Sequence, residues 1–556
     1  MKLKIFFILC LSVFLGLIGS MFNNTTAESE ILTDGDYLYT LLEDGTAKIQ
    51  KYKGNSEDLI IPSEFNGAKV SIIGNDAFAY CEKSVSITLP NDISVIGDRA
   101  FLGCKRLNNI IIPNSVSIIG NDVFSFCTRL KSITLSDNIF SMGSNPFHNC
   151  PNLSSIHISP DHPYLSLIDN VLFSKEDKRL IYYPLTNTNT KYDVPNGTVI
   201  IGEYAFSSCN NLNSIIIPNS VTRIETMAFS YCHQLTTMRI PDSVNYIGGN
   251  PFAFCENLSS IQVSPDHPAL ATIDNVLFCK TNKTLVYYPR SKPNLEYAIP
   301  KGIVSIGDYA FCSCNNLTCV TIPNSITSIG IRAFYSCRNL NALTLPQSVT
   351  EIKDQAFSEC VSLIDVTIPD SVTSINNKLF SSCENIVTIT LPNTLEKIGD
   401  SAFTNCFNLK NITIPDGVTS IGESAFDGCF NLTNISIPNS VKFWGPTTFH
   451  KCINLKKVEI FEGVNIIPDS AFSACESLSE ITIPSSITSI GNLAFRSCIS
   501  LTNITIPDSV SYIGKYPFMG CKNLTLTVSR DSYAAQYCKE NNLNYIYPDS
   551  LDWLNQ

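Results

Sequence analysis

Cysteine recurs along this chain with a period that few folds accommodate. From Cys81 to Cys521 there are 17 cysteines in register, and 14 of the 16 intervals between them are 23 residues. The other two, Cys150 to Cys209 and Cys255 to Cys314, are 59 residues, which is one repeat carrying a 36-residue insertion. A Phe stands three residues before every one of these cysteines, from Phe78 and Phe101 to Phe495 and Phe518, so 17 of the 31 Phe are one structural position. A unit this short cannot bury its own apolar side. Stacked on copies of itself it closes a continuous core, which is the logic of a solenoid. A length of 556 residues would otherwise suggest about four domains; the narrow residue vocabulary argues for one repeated element instead.

The unit reads I-G-x-x-A-F-x-x-C-x-x-L-x-x-I-x-I-P-x-S-V-x-x, as in Ile398-Gly399 through Cys406, Leu409, Ile412, Ile414 and Pro415. The alternation in L-x-x-I-x-I predicts a short strand with Ile pointing inward, paired in parallel with the next coil. Pro after the strand ends pairing, because it has no N–H to donate. Val-x-x-Ile predicts a second short strand, and Ala-Phe-x-x-Cys a turn or a single helical turn. Gly after the corner Ile occurs in 13 of 17 coils, with Glu225, Lys353, Asn376 and Pro468 in the others; a tight corner of positive φ is expected there.

These residues resemble the BspA-like leucine-rich repeat proteins, the Treponema pallidum-type class, over about residues 60 to 530. The resemblance implies a right-handed, mostly β solenoid with strands lining one face and a stacked Phe spine inside. It also implies an extracellular or surface location, often in anaerobic host-associated microbes, with some members implicated in adhesion to host matrix or to other cells. Because a fold does not fix a function, adhesion is the weaker inheritance.

The expected organisation runs from end to end. Residues 1–27 read as a signal peptide, with Lys2 and Lys4 before the apolar stretch Ile5 to Ser20 and cleavage after Ala27. Residues 28–70 form an N-terminal cap hairpin, with strands at Tyr37 to Leu42 and Ala47 to Tyr52. Residues 71–528 hold the 17 coils, with insertions at about 160–195 and 265–300 that copy one another, from Ser159-Pro160-Asp161-His162 to Tyr182-Tyr183 and from Ser264 to Tyr287-Tyr288. Each insertion reads as a hairpin beside the coils, its tyrosines either packed or offered to a partner. Residues 529–556 are a C-terminal cap, with a helix over about 532–541 started by Asp531 or Ser532. No second apolar run of spanning length follows the signal, so the mature chain is expected outside the cell without a transmembrane span.

One cysteine per coil, without pairs, favours buried thiols acting as small apolar residues over disulfides. A net charge of −11 repels phosphate backbones, so nucleic acid is not an expected partner. No phosphate loop, G-x-S-x-G elbow or H-E-x-x-H occurs, so neither an enzyme nor a cofactor is expected. Asp161 with His162, or His148 with His157, are the nearest approach to metal ligands, and no metal is expected either.

The outward strand position is more informative. It is Thr at Thr88, Thr134, Thr321, Thr344, Thr367, Thr390, Thr413, Thr482 and Thr505, which strand propensity explains. Departures mark candidate ligand-binding residues: His157, Ile216, Arg239 and Gln262, and a second group of Phe443, Lys456, Lys457, Glu459 and Phe461. Trp444, beside that group, takes the place of an inward Ile. The expected function is therefore binding, to a protein or glycan ligand such as host extracellular matrix, by a monomer through its sheet face. The competing expectation is an envelope spacer without a specific ligand.

Overall fold

Alternating Ile makes a short strand in most coils, though Ile412 and Ile414 follow only a single bridge, Thr388 to Asn411. In the computed structural model, which describes residues 30–548, Asn109–Ile111, Ser132–Thr134 and Ser155–His157 pair in parallel, each residue beside its equivalent 23 positions on. The middle residues Ile110, Ile133 and Ile156 are buried, because a strand turns alternate side chains to opposite faces. The fold is a mostly β solenoid with one α-helix among the described residues, Tyr533–Glu540. The proposed signal at 1–27 lies outside those residues, as do residues 549–556 of the C-terminal segment.

The chain divides into two units, residues 1–188 and 189–556. In the first, Leu32–Asp34, Tyr37–Leu41 and Ala47–Tyr52 form an antiparallel meander. Ala47–Tyr52 then pairs in parallel with Ala68–Ile73, which begins a sheet of second strands at Val95–Ile96, Ile118–Ile119 and Ser141–Met142. In the second unit the same two kinds of strand recur. Its end is closed by Thr525–Thr527, which sits 22 rather than 23 residues after its partner Asn503–Thr505. The helix follows, capped by Ser532 Oγ accepting from Ala535 N at 3.1 Å, and tied back by Tyr537 OH donating to Gly514 O at 2.9 Å.

The Phe rings are stacked inside both units. Phe78, Phe101, Phe124 and Phe147 succeed one another at 5.4, 5.5 and 6.0 Å between centroids. In the second unit a run of ten, from Phe311 to Phe518, is spaced 4.8 to 6.0 Å. Offset parallel rings at this distance bury apolar area and retain a favourable quadrupole arrangement.

The corner glycines have a different reason from the one expected. Gly399 and Gly422 are not in the left-handed region. A Cβ on Gly422 would instead lie 2.4 Å from Asp400 N and 2.5 Å from the Gly399 carbonyl carbon, so Gly is needed because the preceding coil's backbone passes too close for a side chain. Positive φ occurs elsewhere, on either side of Ala-Phe: Ser401 at 53° and Asn405 at 59° in one coil, Ser424 at 53° and Gly428 at 74° in the next. Of the two readings of Ala-Phe-x-x-Cys, the structure takes the turn. Its left-handed residues aim Ser401, Phe403 and Asn405 N–H along the stack, at the carbonyls of Glu423, Ala425 and Asp427 (2.8, 2.8 and 2.7 Å). Three backbone bonds per coil offset the strain, which is about 1 kcal/mol for each non-Gly residue.

Each insertion has one strand more than a hairpin. Leu165–Ile168, Val171–Ser174 and Arg179–Tyr182 are antiparallel, as are Leu270–Ile273, Val276–Cys279 and Thr284–Tyr287. Asp169-Asn170 and Asp274-Asn275 all have φ between 51° and 64°, the two left-handed residues a tight hairpin turn of matching twist requires. Tyr182, Tyr183, Tyr287 and Tyr288 are buried, so the tyrosines belong to the core and are not offered to a partner. Within the second unit they continue the spine: Tyr287 meets Phe252 edge-on at 5.6 Å and Tyr288 meets Phe311 at 5.1 Å.

Candidate binding face

The strand row leaves one side chain per coil turned to solvent. Thr321, Thr344, Thr367, Thr390, Thr413, Thr482 and Thr505 are exposed in the second unit, and Thr88 in the first. Thr is β-branched and polar, which suits a surface strand. The apolar exceptions stand out: Ile60 and Ile111 in the first unit are 73% and 70% exposed. His157 is exposed on the last strand of its sheet in that unit, beside Thr134.

In the second unit, Ile216 is 58% exposed and pairs with Asp193, while Arg239 pairs with Gln262. Arg239 and Gln262 are both exposed, and among the described residues neither side chain has a hydrogen bond or ion pair. Together they line an open groove of about 660 Å³ with Asn219, Pro241, Asp242, Ser243 and Ser264. The candidates Arg239 and Gln262 thus share one concavity. Sequence alone does not place Asn219, Asp242 and Ser243 in it, because P-N-S and P-D-S triplets recur from coil to coil as turn signals.

The second group of candidates does not form one patch. Phe443, 59% exposed, lies on the second-strand sheet beside Ser420. Lys457 and Glu459 point outward on the other sheet, between Asn434 and Glu480 and between Ser436 and Thr482, with Lys456 exposed just before them. Phe461 occupies the place of the usual Pro, so its N–H donates to Ile437 O at 3.0 Å and the strand runs one bond further. Trp444 is core, packed edge-on against Phe472 at 5.7 Å.

The histidines of the insertions are structural. His162 Nδ1 accepts from the N–H of Tyr164 and Leu165 (3.2 and 3.1 Å), which leaves the proton on Nε2 to be donated to Ser136 O at 2.9 Å. His267 repeats this with Ala269, Leu270 and Pro241 O. With both ring nitrogens occupied by backbone, neither ring is placed to ligate. His148 is half-buried and edge-on to Phe126 at 5.2 Å, and desolvation of its ring lowers its pKa to about 4. Among the described residues no group of three or more His, Cys, Asp or Glu is placed to hold a metal ion, and no helix is long and apolar enough to cross a membrane.

The cysteine ladder carries more than apolar volume. Cys406 Sγ donates to Phe380 O at 3.2 Å, Cys429 to Phe403 O at 3.2 Å and Cys452 to Phe426 O at 3.3 Å, always the Phe 26 residues earlier. That carbonyl also accepts the N–H of its own coil's Cys, so the thiol fills the second lone pair. Burial pushes the Cys406 thiol up to about 12, far from the thiolate a nucleophile or metal ligand needs.

The chain matches the family described as the BspA type leucine rich repeat region over residues 51–179, 178–299, 290–410 and 396–525. No curated protein matches it. Among solved structures, it is similar to a leucine rich cell surface protein from Faecalibacterium prausnitzii A2-165, at 27% identity over 82% of this chain and 95% of that one, with a TM-score of 0.33. A leucine-rich repeat protein from Bacteroides ovatus matches at 22% identity over 93% and 99% of the two chains, TM-score 0.27. A leucine rich repeat protein of T. pallidum matches at 23% over 51% and 98%, TM-score 0.21.

Proposed function

Since the chain belongs to the BspA-type leucine-rich repeat family, we propose that it is an exported, surface-associated binding protein that attaches to protein or glycan ligands through its strand face, acting as a monomer and without catalysis. Residues 1–27 serve as its export signal, 28–70 and 529–556 as caps, and 71–528 as the coils that present the face. The observation that carries this reading is the exposed strand row: polar and repetitive, yet broken at Ile216, Arg239 and Gln262 and again at Lys457 and Glu459. Many weak, equally spaced contacts sum to firm attachment when they engage together, and departures from the repeat supply selectivity. Arg and exposed aromatic residues are the types enriched where binding energy concentrates.

Immobilising the mature chain and screening extracellular matrix proteins and glycans tests this. Saturable capture is expected, and it should fall in one of two variants, Arg239→Ala with Gln262→Ala, or Lys456→Ala with Lys457→Ala and Glu459→Ala. Absence of any saturable partner would favour the spacer.

A further inference from the structure

The second insertion opens the strand face beside Arg239. The sheet that holds Thr237–Arg239 ends at Ser260–Gln262, because the chain departs at Ser264 toward the buried His267; the following strand of this kind, Glu296–Ala298, lies in another sheet. One coil earlier, Ile240 N–H donates to Gln262 O at 3.0 Å. Its counterpart Val263, half-buried, finds no acceptor for its N–H among the described residues. That unpaired edge and the Arg239 guanidinium, which lacks an anionic partner, border the same groove of about 660 Å³.

We propose that this groove takes an extended acidic peptide. The Val263 N–H donates to a peptide carbonyl in the manner of strand addition to a sheet edge. Arg239 holds a peptide carboxylate through two parallel N–H bonds, the strongest recognition its planar fork offers. Gln262 and Asn219, each exposed on the rim, bond peptide amides on either side. Asp242 also lines the groove and disfavours a second acid at its own position, so carboxylates on alternate residues fit better than an unbroken run. A carboxylated glycan satisfies Arg239 but has no backbone carbonyl spaced for the open edge, which is why a peptide is favoured. The proposal rests on the binding reading of this face and specifies what one part of it binds.

Fluorescence anisotropy of the mature chain with a labelled peptide of alternating Glu and Val tests it, with the Lys–Val counterpart and hyaluronan oligosaccharide as comparison probes. The Glu–Val peptide should bind saturably and more weakly at high salt, and the Lys–Val peptide and hyaluronan should not compete. Arg239→Gln should weaken binding about tenfold or more, and Val263→Pro, which removes the edge N–H, should weaken it as well. Gln262→Ala is the milder variant should Val263→Pro misfold, and equal counts of protected thiols establish that a variant is folded. The proposal is overturned if the Glu–Val peptide does not bind, binds Arg239→Gln undiminished, or is displaced by hyaluronan. A matrix protein captured equally by the wild type and Arg239→Gln would sink the groove and leave the binding function standing.

Discussion

The cysteine is the residue that best separates what this fold needs from what it tolerates. Its size fits one position per coil and its S–H reaches a carbonyl in the coil before, which Ala cannot do. Cys406→Ala removes that bond and leaves a small void, and should cost about 1–2 kcal/mol in urea unfolding. Burial also protects the thiols: iodoacetamide on the native protein near neutral pH should label only the half-exposed Cys81, Cys319 and Cys521 among the described residues, and mass spectrometry of the peptides checks it. Rapid labelling of Cys406 or Cys429 would contradict the ladder. Histidine gives the pH dependence. His148 and His267 are both held below their ordinary value by burial, so the unfolded chain binds their protons first. Each contributes stability that is present above the unfolded value of about 6.5 and is lost as pH falls below it, for His148 toward its folded value of about 4. His148 alone accounts for about 3 kcal/mol, and His148→Gln should flatten the decline in unfolding free energy between about pH 7 and pH 4.5.

At the scale of the element, two features depend on neighbours a single repeat does not contain. Gly422→Ala should separate its coil from the one before, at a cost of about 1–3 kcal/mol; Glu225, Lys353, Asn376 and Pro468 show that some coils accept a side chain at the equivalent position. The insertion depends on Tyr287, whose hydroxyl donates to Leu258 O at 3.1 Å while its ring abuts Phe252. Tyr287→Phe keeps the ring and should lose about 1 kcal/mol, whereas Tyr287→Ala should lose about 3–5 kcal/mol, a difference that thermal unfolding resolves. Strand positions were legible in the repeat because period two and the terminal Pro announce them. The third strand of each insertion was not, since Leu165–Ile168 and Leu270–Ile273 become strands only by pairing with the segment that follows.

For the whole molecule, stability of a stacked array is close to a sum over coils and the contacts between neighbours. Phe403→Ala removes a buried ring that lies 6.0 Å from Phe380 and 5.1 Å from Phe426 and should cost about 3–5 kcal/mol. Hydrogen exchange should rise in the coils on either side of Phe403 and remain unchanged far along the second unit. A uniform rise would mean that the spine acts as one cooperative block.

Much was decided before the chain folded. A 23-residue period with an invariant Phe and Cys admits only stacked coils, because no single copy buries its own apolar side, and the family follows from the same residues. Tertiary structure decided what depends on the distance between one coil and the next. It assigned the corner glycines to close approach instead of positive φ, turned the thiols of the regular coils toward the carbonyl of an earlier Phe, drew the paired tyrosines inside, and split Phe443 from Lys457 and Glu459 by placing them on separate sheets. It also gathered Arg239 and Gln262 with the turn residues Asn219 and Asp242 around one groove. A linear repeat records which residues recur, but side chains more than 20 residues apart meet only through the stacking itself, and that stacking is where the exposed strand face acquires its shape.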